Sequence, residues 1–146
     1  MDFTGKVVVI TGASSGIGEA LVYAFADRGA KVVMGARNSA KLAEIAAQLF
    51  TRGIESAFEA TDVTREEDCK RLIDKALSAF GRIDILICNA GISMRALFDD
   101  VQLDVLRQLM DVNFWGTVYC AKYALPALQA AKGTLVGVSS VAGMHG

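Results

Sequence analysis

The stretch KVVVITGASSGIGEALVYAF, residues 6–25, decides the fold because it places a strand, a glycine turn and a helix directly after one another. Its β-branched run, Lys6–Ile10, is typical of a strand that is buried on both faces. After the turn, apolar side chains recur every fourth residue at Ile17, Leu21 and Phe25, which predicts the buried face of an amphipathic helix. The chain therefore opens with a β–α unit.

This unit repeats along the chain. Further strands are predicted at residues 31–36, 56–63, 83–91 and 134–140, and further helices at 39–51, 64–80 and 101–131. Thr64 and Glu67 have the spacing of a capping box at the start of the third helix. In the long fourth helix, Asn113–Gly116 is predicted to be an interruption and Pro126 a bend. Five strands alternating with four helices predict a doubly wound parallel sheet with helices on both faces, in one domain.

Composition argues against several classes of protein. With 53% hydrophobic and 21% charged residues in 146, the chain has ample material for a globular core. The net charge of −1 argues against a nucleic-acid partner, and no apolar run reaches the roughly 20 residues of a membrane span. The N-terminal MDFTGK lacks the pattern of a signal peptide, so a cytoplasmic protein is expected.

The cysteines give no sign of a metal site. Cys69, Cys88 and Cys120 are widely spaced and form no CxxC pair, and His145 is the one histidine in the sequence. A zinc site or a disulfide framework would normally show closer or paired ligands. Reduced thiols in packed positions are therefore expected, with no bound metal.

The turn between the first strand and the first helix has glycines at Gly12, Gly16 and Gly18. Without Cβ atoms they let the backbone turn tightly and bring the free N–H groups of a helix N-terminus against a phosphate. The spacing is neither GxGxxG nor a P-loop, and a β–α turn also tolerates glycine for structural reasons alone. Its position at the carboxyl end of the first strand of an α/β sheet favours a nucleotide diphosphate.

Five motifs in order carry a resemblance to a known family: TGASSGIG at 11–18, TDV at 61–63, CNAG at 88–91, VNFWG at 112–116 and VGVSS at 136–140. Together they resemble the short-chain dehydrogenases/reductases over the whole chain. Cys88 is a mild departure, since the family has NNAG at the fourth strand. The resemblance implies a three-layer α/β/α Rossmann-type fold and a single NAD(P)-binding domain at 1–146, without the family's C-terminal catalytic helix and substrate loop.

The same resemblance implies where a nicotinamide dinucleotide would lie. The pyrophosphate would lie over the turn, at Gly12, Ser14, Ser15, Gly16, Ile17 and Gly18. Asp62 and Val63 would contact the adenine, although Asp62 is also a suitable polar residue ahead of a helix. Asn89, Ala90 and Gly91 would lie near a ribose, where Asn89 also suits a turn.

The end of the second strand indicates which cofactor is used. NAD-selective sites place an acidic residue there, whereas the 2′-phosphate of NADP calls for a cation. Here Ala36 occupies the acidic position and Arg37 follows it, with a guanidinium able to form paired bonds to a phosphate. We therefore expect NADP(H) rather than NAD(H); a solvated surface charge is the alternative role for Arg37.

For catalysis, the family uses an asparagine, a serine and a tyrosine–lysine pair. Asn113 would hold a water in the proton relay, and Ser140 would bond the substrate oxygen. The tyrosine–lysine pair has the spacing YxxxK, which does not occur in these 146 residues. Tyr119 and Lys122 are one residue too close together and precede Ser140, so a helix surface or subunit contact is expected for them.

The resemblance thus predicts an NADP(H)-dependent oxidoreductase that interconverts a carbonyl and an alcohol in a small-molecule substrate. A homo-oligomer, either a dimer or a tetramer, is expected for the complete protein. The 146 residues are expected to be the cofactor-binding part of a longer polypeptide, and inactive alone. Two alternatives stay open: a non-catalytic dinucleotide-binding module and an inactive truncated fragment.

Overall fold

The computed structural model describes residues 2–140, and their centre is a sheet of five parallel strands. The strands are β1 Val7–Thr11, β2 Lys31–Ala36, β3 Ser56–Ala60, β4 Ile85–Cys88 and β5 Thr134–Gly137. They lie in the order β3-β2-β1-β4-β5, so the chain reverses its direction of travel across the sheet between β1 and β4. Ligands of such sheets bind in the crevice at that reversal, outside the carboxyl ends of the strands.

Helices cover both faces of the sheet, as predicted. They are α1 Gly16–Ala26, α2 Ser39–Thr51, α3 Glu66–Phe80, α4 Leu103–Met110 and α5 Gly116–Ala131. One buried cluster joins one face of the sheet to α1 and α2, and a second joins the other face to α3 and α5. The predicted doubly wound, Rossmann-type α/β/α architecture is therefore confirmed for the described residues.

The first helix differs from its prediction in the face that it buries. Ile17 is 65% exposed, whereas Gly18, Val22 and Ala26 are buried. Gly18 lies directly against the turn at Gly12. The side of the helix that carries Gly18 therefore faces the protein interior. Residues four and eight positions later share that side, and the predicted apolar stripe lies one residue away from it.

The third helix begins later than predicted, and the capping box does not form. The helix starts at Glu66, and Arg65 before it makes no side-chain capping bond. The Thr64 hydroxyl instead donates to Asp62 Oδ1 over 2.8 Å. An aspartate two residues before the threonine thus competes successfully for the hydroxyl that was expected to cap the helix.

The α-helical stretch is interrupted near NFWG, as predicted, by a turn of a different helix type. Residues Asp111–Trp115 form a π-helical turn that connects α4 to α5, and Pro126 lies inside α5. A π turn adds a residue within a helix, and such turns are frequent at functional sites.

The predicted strands at 56–63, 83–91 and 134–140 also end early, because their last residues leave the ladder to form loops at the carboxyl edge.

Candidate functional site

A cleft of about 720 Å³ opens at the carboxyl edge of the sheet. It lies at the loops that follow β1 and β4, and its walls also include the ends of β2 and β3 and the junction of α4 with the π turn. The predicted residues that line it are Gly12, Ser14, Ser15, Gly16, Ile17, Arg37, Asp62, Val63, Asn89, Ala90 and Gly91. The structure thus brings side chains from four separate loops to one site.

The glycine turn is packed tightly against the loop after β4. Gly12 has φ +67°, and a Cβ there would lie 2.9 Å from the Cα of Ala90. A Cβ on Gly18, which is buried beneath the turn, would overlap the Gly12 carbonyl oxygen and lie 2.6 Å from Asn89 Nδ2. The positions need glycine because backbone and side-chain atoms already occupy the space of a methyl group.

The N-terminus of α1 meets the cleft without a side-chain cap. Ser15 precedes the helix in an extended conformation, and its hydroxyl makes no capping bond. The first N–H groups of a helix have no partner within it, and its dipole makes that end positive. This arrangement provides donors for an anion of the size of a phosphate.

Thr11 is a structural residue of the site that the sequence reasoning missed. It ends β1 and is buried, and its hydroxyl oxygen accepts hydrogen bonds from the backbone N–H groups of Asn89 and Ala90, each over 3.0 Å. Asn89 Nδ2 in turn donates to the Thr11 carbonyl over 3.0 Å. These bonds tie the β4 loop to the end of β1. The available signal was a hydroxyl residue directly before the first glycine.

Replacing Thr11 with valine should lower the free energy of unfolding by about 1–3 kcal/mol, since two half-buried backbone N–H groups lose the hydroxyl that accepts from them. Urea unfolding measures the change. Thr11→Ser is the matched control, because it keeps the hydroxyl, and it should remain closer to the wild-type protein. A valine variant as stable as the serine variant would contradict the role given to this hydroxyl.

Asp62 accepts hydrogen bonds from within the protein through one of its two carboxylate oxygens. Its Oδ1 accepts from the backbone N–H and the hydroxyl of Thr64, over 3.0 and 2.8 Å. Its Oδ2 has no hydrogen-bond partner among residues 2–140, and the residue lines the cleft. One carboxylate oxygen is therefore available to accept a bond from a ligand.

Arg37 is the basic residue of the cleft lining in the described part of the chain. It follows buried Ala36, is itself exposed, and has no carboxylate within ion-pair distance among residues 2–140. Nearby along the chain, Lys41 is already paired with Glu19 and Glu44 at 3.3 and 3.2 Å. The guanidinium thus has donors available for an anionic group.

Asn113 lies on the π turn, outside the cleft lining, and binds the loop after β4. Its Oδ1 accepts from the Ile92 N–H, and its Nδ2 donates to the Ile92 carbonyl, both over 2.9 Å. Both ends of the amide therefore contact one backbone residue. The observed contact is with the loop, and the predicted water in a proton relay stays a prediction.

Ser140 is the last residue that the structure describes, beyond the end of β5 at Gly137. Pairing between β4 and β5 continues one residue further, since the Val138 N–H donates to the Cys88 carbonyl over 3.0 Å. Ser140 does not line the cleft.

The pair Tyr119 and Lys122 contributes nothing to the cleft. The Tyr119 ring stacks on Trp115 at 5.8 Å, and Lys122 Nζ lies 3.0 Å from Glu66 Oε1. Both side chains lie on α5, away from the cleft lining.

The chain matches a known protein family over almost its whole length. The family described as short chain dehydrogenase matches residues 6–146, nearly the whole chain. The chain belongs to the short-chain dehydrogenase family. Among curated relatives, the protein named 11-beta-hydroxysteroid dehydrogenase A of Sesamum indicum is 43% identical over 141 residues, which are 95% of this chain and 40% of that protein. The 11-beta-hydroxysteroid dehydrogenase-like 2 of Arabidopsis thaliana is also 43% identical, over 94% of this chain and 45% of that protein.

Solved structures of the family have the same fold. A short-chain dehydrogenase/reductase from Burkholderia phymatum in complex with NAD is 31% identical with a TM-score of 0.93, covering 99% of this chain and 52% of that one. An alcohol dehydrogenase from Thermococcus sibiricus complexed with 5-hydroxy-NADP is 33% identical with a TM-score of 0.87. The match covers 89% of this chain and 56% of that one. The chain spans less than half the length of the two curated relatives.

The three cysteines are free, and each is buried in a packed position, as expected from the sequence. Burial raises the pKa of the Cys88 thiol to about 11, and the neighbouring Cys69 thiol and burial raise that of Cys120. Protonated thiols are poor nucleophiles and poor metal ligands. No cluster of metal-ligating side chains occurs among residues 2–140, and His145 lies outside the described residues. Within the same range, no helix is long and apolar enough to cross a bilayer.

Proposed function

We propose that this short-chain dehydrogenase uses NADP(H) to interconvert a carbonyl and an alcohol by hydride transfer. The observation that carries the proposal is a cleft that combines a glycine turn at a helix N-terminus with Arg37, a cation without a carboxylate partner in the described part of the chain. The cleft volume of about 720 Å³ is typical of a cofactor site. The names of the relatives, hydroxysteroid and alcohol dehydrogenases, support the reaction class.

The residues present suit the cofactor in three places. The turn Gly12–Gly18 would hold the pyrophosphate through backbone N–H groups. Asp62 Oδ2 would accept a bond from the adenine amino group, with Val63 beside it. The loop Asn89–Gly91, fixed to β1 through Thr11, would lie near a ribose of the cofactor.

When bound, the nicotinamide cofactor supplies or accepts the hydride. In the proposed reaction, the Ser140 hydroxyl donates a hydrogen bond to the substrate oxygen and orients the carbonyl for attack. Asn113 keeps the β4 loop against the π turn, so Ile92 in the cleft lining is held in place before substrate arrives. Since the 146 residues contain no YxxxK pair, we assign them cofactor binding and substrate orientation, and we expect no turnover from them alone.

The reaction is tested by NADPH oxidation with a panel of carbonyl compounds, using a polypeptide of the relatives' length that contains this chain. Turnover is expected with the wild-type protein, and Ser140→Ala should reduce it to background. Cofactor binding without turnover on any carbonyl would instead support a non-catalytic dinucleotide-binding module.

Replacing Arg37 with alanine should weaken NADPH binding by about 10–100-fold, because the 2′-phosphate loses charge-assisted hydrogen bonds. Binding of NADH, which lacks this phosphate, should stay unchanged. Titration followed by nucleotide fluorescence measures both dissociation constants. Arg28→Ala is the matched control, since Arg28 is exposed and its guanidinium donates to the Ala24 carbonyl of α1, away from the cleft. Equal affinity of the wild-type protein for the two cofactors would contradict the proposal.

We further propose a cytoplasmic homo-oligomer, a dimer or a tetramer, that assembles through the long helix. Its support is the exposure of Phe114, Trp115 and Leu125, which lie on the π turn and α5. Exposed apolar groups of this size favour contact with another surface. Sedimentation velocity measures the assembly, and a monomer at micromolar concentration would contradict it.

A further inference from the structure

A buried carboxylate outside the cleft lining holds the backbone of the segment that carries Asp62. Asp68, in the first turn of α3, is 7% exposed. Its Oδ2 accepts a hydrogen bond from the backbone N–H of Asp62 over 3.0 Å. The connection runs from the helix to the segment directly after β3, which forms one wall of the cleft.

The other oxygen of Asp68 is held by two arginines. Asp68 Oδ1 lies 2.8 Å from a terminal nitrogen of Arg71 and 3.5 Å from Nε of Arg65. Arg71 also lies 3.5 Å from Glu59 on β3, so the network joins helix and strand. Burial alone would raise the pKa of Asp68, but the bonds from the Asp62 N–H and Arg71 outweigh it and lower that pKa. The carboxylate is therefore charged at neutral pH and fixed in direction.

Asp62 is consequently held at each of its polar groups except one. Its N–H is bound by Asp68, its carbonyl accepts from the Arg65 N–H over 3.0 Å, and its Oδ1 accepts from Thr64. Its Oδ2 is the group without a partner among residues 2–140. The network therefore fixes the backbone and side chain of Asp62 and leaves one acceptor in the cleft wall.

We propose that Asp68 is a positioning residue for the adenine end of the cofactor, acting through the backbone N–H of Asp62. The inference rests on the proposed function, because it concerns the same cleft. An acceptor held in place before the ligand arrives loses less conformational entropy on binding than a mobile one. Without Asp68, the Asp62 N–H loses its acceptor and the segment gains alternative conformations.

A purely structural anchor for the start of α3 would predict a different result. Loss of such an anchor lowers the stability of the fold and leaves the affinity of the folded protein unchanged. Positioning predicts weaker binding of ligands that contain adenine, in protein that is still folded. The two roles are therefore separated by measuring affinity and unfolding on the same variants.

The experiment compares Asp68→Ala, Asp68→Asn and the control Asp74→Ala. Asp74 is an aspartate of the same helix that pairs with Lys70 on the exposed surface. The probes are NADPH and adenosine 2′,5′-bisphosphate, which carries the adenine and the 2′-phosphate without nicotinamide. We expect Asp68→Ala to raise both dissociation constants by about 10-fold, the value of one hydrogen bond to a charged group. Asp68→Asn keeps an acceptor for the Asp62 N–H and should recover part of the affinity, and Asp74→Ala should bind as the wild type does.

In the catalytically active polypeptide, Asp68→Ala should raise the KM for NADPH and leave kcat at saturating NADPH unchanged. The inference is overturned if folded Asp68→Ala binds both probes with wild-type affinity, or if alanine and asparagine weaken binding equally. Should the alanine variant not fold, Asp68→Asn decides, and unchanged binding of the bisphosphate overturns the inference. A wild-type protein that binds neither probe overturns the proposed function itself, which is a separate outcome.

Discussion

Replacing Gly18 with alanine should abolish measurable binding of the dinucleotide. The new methyl group would overlap the Gly12 carbonyl oxygen and lie 2.6 Å from Asn89 Nδ2. Neither neighbour can move away freely, because Gly12 is part of the turn and Asn89 Nδ2 is bonded to the Thr11 carbonyl. The turn must therefore open, and the donors at the start of α1 lose their common direction.

The same change should lower the free energy of unfolding by about 1–3 kcal/mol, the usual cost of overpacking. Titration with NADPH and urea unfolding measure the two effects. Gly137→Ala is the matched control, since a Cβ there meets nothing within 4 Å and the residue does not require a positive φ. It should stay within about 0.5 kcal/mol of the wild type. Normal NADPH affinity in Gly18→Ala would show that the close approach of turn and loop is not needed.

Asp84 lies away from the cleft. Replacing it with asparagine should lower the free energy of unfolding by about 2–4 kcal/mol, the largest loss of stability that we predict. Asp84 is 4% exposed, and its carboxylate accepts from the Val7 N–H at 3.0 Å and from both Lys6 and Arg82. Four donor atoms from these three residues cannot all be satisfied by the one oxygen of asparagine. The two cations remain half exposed, so water recovers part of the loss, and we expect less than for a fully buried pair.

The pH dependence of stability should change in the same variant. Burial raises the pKa of Asp84, but the bonds from Arg82, Val7 and Lys6 outweigh it and lower that pKa. A carboxyl with a lowered folded pKa stabilises the protein above its unfolded pKa of about 3.9 and loses this effect as pH falls through the folded value. Urea unfolding from pH 7 to pH 3 should therefore show a smaller fall for Asp84→Asn than for the wild type.

Asp104→Asn is the control for both Asp84 measurements, since Asp104 is exposed and Arg107 is its one ion-pair partner among residues 2–140. Its stability should match the wild type at every pH. Parallel pH profiles for Asp84→Asn and the wild-type protein would contradict the role given to the buried carboxylate.

The sequence was sufficient for the architecture and for the place of the cleft. Parallel strands present their carboxyl ends at one edge, so motifs that follow β1, β2, β3 and β4 must meet there. Arg37 and Asp62 are far apart in the sequence, and both line the same cleft. What each does with a cofactor stays a prediction until binding is measured.

Features that depend on packing between elements could not be predicted from the sequence pattern. The inward face of α1 follows from the contact of Gly18 with the turn, which the spacing of Ile17, Leu21 and Phe25 does not reveal. The sequence pattern indicated that the long helix is interrupted near Asn113, but not that Asp111–Trp115 forms a π turn.

The buried polar network was also missed. Thr11, Asp68 and Asp84 bond to backbone groups that are distant in sequence or on another element, so no local spacing identifies them. Their role appears only when the backbone N–H groups of a buried segment are traced to their acceptors.

The most direct measurement is a titration of the wild-type protein with NADPH and with NADH under identical conditions. A cleft built as described should bind one NADPH per chain, saturably, at least about 10-fold more tightly than NADH, the effect of a single charge-assisted bond to the 2′-phosphate. Absence of NADPH binding by the folded protein, or tighter binding of NADH, would contradict the assignment of this cleft to NADP(H).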